Sequence, residues 1–190
     1  MLISLTRVAA RAIGAILALS SCSDRKPADQ PAVPVPSAAA TSPGPTVGPD
    51  GFGAIRIGWT LAELNAAVKQ NLRPAYEINE TCDYITPAIL PRGVSLMVES
   101  DTIVRIDVDS AGVLTAAGAG VGDDESQVIK LYGDQLTVMP HKYTGPVGHY
   151  LVVSFTPDTL ARIIFETDGK KVLQYRAGRR PAVEYVEGCA

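Results

Sequence analysis

From Phe52 onward, the chain carries one hydrophobic pattern twice: apolar residues at helical spacing, then a series of short apolar strands. Leu61, Leu64 and Val68 lie at the spacing of one helix face, and a second such face begins at Val128. The pattern predicts a helix at 60–71 with strands near 75–79, 83–86, 94–99 and 103–109, and a helix at 124–133 with strands near 136–143, 149–155, 162–166 and 171–176.

Both predicted helices begin at a capping box. Thr60 is followed three residues later by Glu63, and Asp124 is followed at the same spacing by Gln127. In such a box, the side chain at the cap accepts a hydrogen bond from a backbone N–H of the first turn. The two helix starts lie 64 residues apart, and we interpret the region as a duplication.

The duplication predicts an α+β domain of two tandem repeats, about 52–115 and 116–190. Each repeat would be a helix followed by an antiparallel meander. The helices of both repeats would pack on one face of the sheet, because each helix has only one apolar face to bury.

The last strand of the first repeat shows which side chains leave the core. Alternation sends Val104, Ile106 and Val108 inward and places Arg105 and Asp107 on the opposite face. If no helix covers that face, its polar side chains form an open surface. Aromatic residues and arginines are concentrated in protein interfaces, so such a surface is a candidate for binding.

Residues 1–21 have the pattern of an export signal. Arg7 and Arg11 are their only charged residues, and the apolar run 12–19 follows. An apolar run of eight residues fits a signal peptide but is too short to cross about 30 Å of hydrocarbon as a helix. The alternative is an uncleaved helix.

The apolar run ends in Leu-Ser-Ser-Cys, which resembles the bacterial lipobox. The resemblance implies that Cys22 is lipidated and becomes the new N-terminus, whereas a plain signal peptide is the alternative. Two or more acyl chains anchor a protein stably in a membrane. In the lipoproteins that the motif resembles, Ser23 rather than Asp at the next position implies sorting to the outer membrane.

The segment 22–51, which begins at the lipobox cysteine, is rich in Pro, Ala, Ser and Gly and has no apolar periodicity. Such a composition buries too little surface to offset the entropy of ordering. We therefore predict a disordered tether that holds the folded domain, 52–190, off the membrane.

The chain has three cysteines. With Cys22 on lipid, Cys82 and Cys189 remain, and in an oxidising compartment we expect them to form a disulfide. Two unpaired buried thiols are the alternative.

Two short motifs carry a resemblance to a known family. They are Ile57-Gly58-Trp59-Thr60 and, more weakly, Val121-Gly122-Asp123-Asp124. With the helix and meander that follow each, they resemble the SmpA/OmlA group of outer-membrane lipoproteins, to which BamE belongs. The tandem form resembles the β-lactamase inhibitory protein, and this likeness implies a combined sheet with a concave binding face. That inhibitor has one small disulfide loop per repeat, unlike this chain, so lactamase inhibition is not carried over.

Catalytic and metal-binding motifs are weak in this sequence. The only histidines are His141 and His149, and there is no Gly-x-Ser-x-Gly element. The acidic run 123–125 lacks the spacing of a calcium loop, and the glycines of 116–122 are better explained as a connection between repeats than as a phosphate-binding loop. We therefore predict no enzymatic activity, no metal and no cofactor.

The net charge of −3 argues against a nucleic-acid partner. We predict a periplasm-facing lipoprotein of the outer membrane that touches the membrane only through its lipid. It would bind an envelope protein without catalysis, as an assembly contact or an enzyme inhibitor. A small-ligand or glycan-binding module with stacking tyrosines is the alternative. The candidate binding residues are Tyr84, Arg105, Asp107, Tyr143, His149, Tyr150, Arg176 and Arg179.

Overall fold

The computed structural model describes residues 44–77 and 79–190, so the predicted signal peptide, Cys22 and most of the predicted tether lie outside the described residues. The described part contains ten strands and two α-helices. Their bounds are β1 (Val47–Gly48), β2 (Gly51–Phe52), β3 (Ile55–Arg56), α1 (Leu61–Val68), β4 (Cys82–Ile85), β5 (Val94–Glu99), β6 (Thr102–Val108), α2 (Glu125–Tyr132), β7 (Leu136–Pro140), β8 (His149–Ser154), β9 (Ala161–Thr167) and β10 (Val172–Arg179). Short 3-10 turns follow α2 at Gly133–Gln135 and β10 at Ala182–Glu184.

Seven strands form one antiparallel sheet in the order β4-β5-β6-β10-β9-β8-β7. Two meanders of consecutive strands, β4 to β6 and β7 to β10, meet where β6 pairs with β10. At this seam Arg105 lies opposite Gly178, and Arg176 lies opposite Asp107. The short strands β1, β2 and β3 form a second antiparallel sheet.

The predicted α+β fold is wrong. The described chain is mostly β, with antiparallel sheets of three and seven strands, and not two helix-plus-meander repeats packed on a sheet. Each helix has only eight residues. The first ends because Lys69 is left-handed, with a φ of 53°, and the Asn65 side chain bonds both the N–H and the C=O of Leu72. The second ends at Gly133, where φ is 50°.

The helix starts are where the capping motifs predict them. The Thr60 N–H donates to Glu63 Oε2 at 2.8 Å, and the Glu63 N–H donates to Thr60 Oγ1 at 3.3 Å. At α2, the Asp124 N–H donates to Gln127 Oε1 at 3.3 Å. The Asp124 carboxylate also lies 3.1 Å from Lys171 Nζ, which ties the helix start to the β9–β10 turn.

Most predicted strand positions are confirmed to within a few residues, but no strand forms near 75–79 in the described residues. Ala75 and Tyr76 instead donate their backbone N–H groups to the Asp83 carboxylate at 2.6 and 2.9 Å. Tyr76 has a φ of 52°, which a regular strand does not allow. The segment is therefore held beside β4 by hydrogen bonds to the Asp83 side chain, and not by a ladder of backbone hydrogen bonds.

The main core lies between one face of the seven-stranded sheet and both helices. Leu64 of α1 and Val128 of α2 are buried in it. Val47 is also fully buried. The folded part therefore begins before Phe52, the predicted first residue of the domain. The strand residues of this core are Ile85, Val94, Leu96, Val98, Ile103, Ile106, Val108, Leu151, Val153, Ile163, Phe165, Val172, Tyr175 and Ala177.

Val104 does not reach the main core, contrary to the alternation argument. Met97 lies opposite Arg105, whereas the next residue, Val98, lies opposite Ile103. Val104 is thus the extra residue of a β-bulge, and a bulge re-aims the side chains around it. Val104 packs against Met97 on the opposite face, while Ile103 lies in the main core.

The opposite face of the sheet is covered by the end of the chain, residues 180–189, which we call the C-terminal strap. Its 3-10 turn buries Ala182 and Val183 completely or nearly so. Ala182 packs with Met97 and Cys82, and Val183 packs with Tyr150 and other residues of the β8–β9 side. A second, smaller core therefore lies between the strap and the sheet.

The predicted disulfide between Cys82 and Cys189 is confirmed. The two Cα atoms are 5.4 Å apart, and the bond joins residues 107 positions apart in sequence. Next to it, Gly188 has a φ of 67°, and a Cβ at this position would lie 2.8 Å from the Tyr84 hydroxyl. The disulfide therefore ties the strap to the edge strand β4, and the adjoining residue is a glycine for both conformational and steric reasons.

We expect the Cys82→Ala/Cys189→Ala double variant to be less stable than the wild type by about 3–5 kcal/mol, because a loop of roughly 100 residues is then no longer closed in the unfolded chain. Denaturant unfolding followed by tryptophan fluorescence measures the change. The double variant avoids the free thiol that either single variant would leave. A loss below about 1 kcal/mol would contradict this role for the bond.

Candidate functional site

Arg105, on β6, is buried beneath the strap with 4% of its surface exposed. Its Nε donates to both carboxylate oxygens of Asp107 at 3.0 and 2.8 Å. Nη1 donates to the carbonyls of Ala182 and Tyr185 at 3.1 and 2.7 Å, and Nη2 donates to Asp107 and to the Tyr84 hydroxyl. All five N–H groups of the guanidinium therefore have acceptors, which burial of a charge requires.

Arg176, on β10, is buried in the same way, with 3% of its surface exposed. Its Nε donates to the Val183 carbonyl at 2.6 Å, and its Nη1 forms an ion pair with Glu166. The Gln174 amide donates to the same carboxylate at 2.7 Å. The guanidinium carbon lies 5.8 Å from the centre of the Tyr150 ring.

The Glu166 carboxylate stays charged although it is buried. Burial alone raises its pKa, but the hydrogen bond from Gln174 and the charge and hydrogen bond of Arg176 outweigh that effect. The pKa of Glu166 is therefore held below its ordinary value. The cause is a structural ion pair, so the shift does not by itself indicate catalysis.

Both nitrogens of His141 are occupied. Nδ1 accepts backbone N–H bonds from Tyr143 and Thr144 at 3.2 and 3.3 Å, so Nε2 carries the proton and faces Glu166 at 3.3 Å. The ring also stacks on Tyr150 with 4.4 Å between centroids. This histidine holds the β7–β8 turn against the sheet and has no nitrogen free to act as a base.

His149, a predicted binding residue, is partly exposed and paired with the first residue of α2. Its Nδ1 lies 3.0 Å from both carboxylate oxygens of Glu125. An imidazole oriented by a carboxylate is one part of a catalytic triad. The neighbouring hydroxyl of Thr167, however, donates to the Glu125 carboxylate and not to the imidazole. The contact is thus a link between β8 and α2.

The face around Arg105 and Arg176 is not open, because the strap covers both side chains. Both guanidiniums bind carbonyl groups of the strap. Asp107 remains half-buried as the counter-ion of Arg105. The sequence pattern identified the correct face but gave no sign that residues 180–189 return to it.

The three tyrosines among the candidates have different surroundings. Tyr84 is half-buried, and burial, with the nearby charge of Asp107, raises its pKa to about 12. Tyr150 is buried, and its hydroxyl has no hydrogen-bond partner among the described residues. Tyr143 is exposed, and its hydroxyl donates to Glu187 of the strap. They do not form one stacking surface.

Arg179, the last candidate, forms a surface ion pair with Asp158. Its Nη1 lies 2.6 Å from the carboxylate, and both side chains are more than a third exposed. Such a pair contributes little to stability, because water screens it. Arg179 is therefore accessible at the surface.

A groove remains where the strap does not reach. Its volume is about 230 Å³. Tyr84, Ser95, Asp107, Gln174 and Arg176 line it. Small-molecule sites are typically about 300–1,000 Å³ and mostly apolar. This groove is smaller than such a site.

The largest group of exposed apolar residues lies elsewhere, on β7 and the turn that follows it. Val138 is 45% exposed, Met139 49%, Tyr143 60% and Val147 68%. We call these four residues the β7 patch. They make up four of the nine large apolar side chains that are exposed in the described residues. The four lie within ten residues, with Val138 and Met139 on opposite faces of β7, so they expose apolar side chains on both sides of one sheet edge. Apolar side chains exposed along a sheet edge mark a candidate interaction surface.

Of the β7 patch, only Tyr143 was among the predicted binding residues. Met139 was missed because a strand sequence does not show whether its strand lies at the edge or the centre of the sheet. Val147 was missed because it lies in the turn after β7, where no strand pattern applies. A partial signal existed, since Leu136-Thr137-Val138-Met139-Pro140 has no charged residue. Among the described residues, no group of three or more His, Cys, Asp or Glu side chains is placed to hold a metal ion.

No helix in the described ranges has the length and apolar character needed to cross a membrane. Comparisons with protein-family models, with curated proteins and with solved structures find no significant match to this chain.

We expect Glu166→Gln to lower the free energy of unfolding by about 3 kcal/mol at neutral pH, because it leaves the Arg176 charge buried without a counter-ion. In the wild type, the lowered folded-state pKa of Glu166 stabilises the fold above the pKa of the unfolded chain. This contribution is lost as the pH falls through the folded-state pKa. The variant should therefore lose less stability on acidification.

Denaturant unfolding at several pH values measures both effects. Asp158→Asn, which breaks the exposed pair with Arg179, is the matched control and should change stability little. Equal losses in the two variants would contradict a special role for the buried pair.

Proposed function

We propose that the protein is a non-catalytic protein-binding module of the bacterial envelope, held to the outer membrane by lipid on Cys22 and facing the periplasm. It binds another envelope protein, as an assembly contact or as the inhibitor of an enzyme. The observation that carries the proposal is the β7 patch, where four exposed apolar side chains lie within ten residues.

The lipid anchor is supported by the sequence Leu-Ser-Ser-Cys after a basic and apolar segment. The disulfide agrees with an oxidising compartment such as the periplasm. A Pro-, Ala- and Ser-rich stretch separates Cys22 from the first strand, and as a flexible chain it would place the folded domain roughly 30 Å from the lipid.

A protein partner fits the surface better than a small ligand does. Protein interfaces are rich in aromatic residues and Met, and Tyr143 and Met139 supply both here. The partner would also meet Lys142 and Glu187, which lie 2.9 Å apart beside the patch. Together these residues give the mixture of apolar and charged side chains that protein interfaces contain.

A glycan or small polar ligand is the second candidate. The groove between Tyr84 and Gln174 favours it, because one aromatic ring and several hydroxyl, amide and carboxylate groups line the cavity. Its volume of about 230 Å³ limits such a ligand to roughly a single sugar ring.

We expect the Met139→Asp/Val147→Asp variant to capture at least tenfold less partner than the wild type. The two substitutions place charges among the apolar side chains of the contact. The measurement uses a photo-crosslinking residue at Tyr143 in intact cells, with the linked protein quantified. Ile89→Asp is the control, because Ile89 is about as exposed as Val147 but lies outside the β7 patch. Capture that is equal in both variants would exclude the patch as the binding surface.

We expect Cys22→Ser to abolish incorporation of labelled palmitate and to move the protein from the membrane fraction to the soluble one. Ser23→Asp tests the sorting signal separately, and it should move the lipidated protein from the outer to the inner membrane. Membrane-bound, unlabelled protein in Cys22→Ser would instead indicate an uncleaved apolar helix.

A further inference from the structure

We propose that β7 is a docking edge at which an extended segment of the partner adds as an eighth strand of the sheet. This inference rests on the proposed function and specifies how the partner is recognised. It is carried by the backbone of β7 and not only by the side chains of the β7 patch.

The ladder between β7 and β8 determines which backbone groups of β7 point outward. The His141 N–H donates to the Gly148 carbonyl at 2.9 Å, so these two residues form a hydrogen-bonded pair. Hydrogen-bonded pairs alternate along an antiparallel ladder, and in this register the next ones are Met139 with Tyr150 and then Thr137 with its partner on β8. The backbone groups of Leu136, Val138 and Pro140 therefore point away from β8.

Among these outward backbone groups, free C=O acceptors outnumber free N–H donors. The Leu136 N–H is used by the Gly133 carbonyl, and Pro140 has no N–H. One donor remains, the N–H of Val138, together with the three carbonyls of Leu136, Val138 and Pro140. No described residue bonds to these four groups. The edge thus offers three acceptors for each donor.

The excess of acceptors decides between two occupants. A second copy of β7 brings the same shortage of donors, and any symmetric antiparallel pairing forms only two backbone bonds, each from a Val138 N–H. A foreign extended segment with free N–H groups forms up to four. Strand addition of this kind takes its affinity from backbone bonds and its specificity from alternate side chains. We therefore assign the edge to a segment of another protein.

The side chains of β7 match such an occupant. Leu136 and Val138 lie on the face of the main core, whereas Thr137 and Met139 lie on the face of the strap, as their opposite residues on β8 show. None is charged. The partner segment should accordingly carry apolar residues at alternate positions and no proline where its N–H must donate.

The opposite edge of the sheet is not equivalent. β4 has four residues and carries the charged Asp83, whose side chain binds the backbone of Ala75 and Tyr76. The disulfide attaches the strap to the same strand. Charge, short length and a covering segment are the devices that protect an edge from pairing. Only Pro140, at the end of β7, serves this purpose on the other side.

Val138→Pro tests the proposal, because it removes the one outward donor without removing any bond to β8, and proline is tolerated on an edge strand in this orientation. Val138→Ala is the matched control, since it shortens the side chain but keeps the N–H. The probe is a twelve-residue peptide selected from a displayed random library against the complete mature domain. Thermal unfolding verifies that both variants fold.

We expect Val138→Pro to weaken peptide binding at least tenfold and Val138→Ala to weaken it less than threefold. In amide hydrogen exchange, the Val138 N–H should exchange rapidly in the free protein, unlike those of Thr137 and Met139, and should be protected at least tenfold by the peptide. Unchanged binding by Val138→Pro, or no protection of Val138, would overturn strand addition while the proposed function stands.

Other outcomes separate the two proposals further. If no peptide binds and crosslinking from Tyr143 captures no partner, both the docking edge and the proposed function fail. If the wild type sediments as a dimer and Val138→Pro as a monomer, the edge belongs to a second copy, and the assignment to another protein is wrong.

Discussion

Two buried guanidiniums tie the end of this chain to the middle of its sheet. Arg105 and Arg176 lie on adjacent strands at the seam of the two meanders, and each donates to carbonyl groups of the C-terminal strap. A buried positive charge is tolerated only with counter-ions and acceptors in place. Asp107 and Glu166 supply the counter-ions from the sheet. Sheet order, strap position and side-chain charge are therefore mutually dependent, and the smaller core beneath the strap exists because of them.

Local features of the fold were predictable because local physics produces them. Thr60 and Glu63 form their capping box through bonds within one helical turn, and β5 and β9 lie where short apolar runs predicted strands. The fold class was not predictable in this way. The helical pattern after Val68 is interrupted by the Asn65 side chain, which bonds the backbone of Leu72. Likewise, the bulge at Val104 depends on its pairing with β5.

The candidate site shows the same division between local and distant causes. Sequence patterning placed Arg105 and Asp107 together on the face opposite the main core, and that placement is confirmed. The cover over this face comes from residues about 80 positions later, which have no periodic pattern of their own. Met139 lies on β7, the last strand in the sheet, and strand order is a property of the whole chain.

The unequal edges of the sheet have a consequence for assembly. A strand that joins at β7 covers that edge, and β4 at the far side, with its charge and its covering segment, has no equivalent site to offer. With β7 as the docking edge that we propose, the molecule is monovalent in strand pairing. It terminates a sheet and cannot propagate one, so that many copies crowded on one surface would remain separate units instead of growing into a fibre.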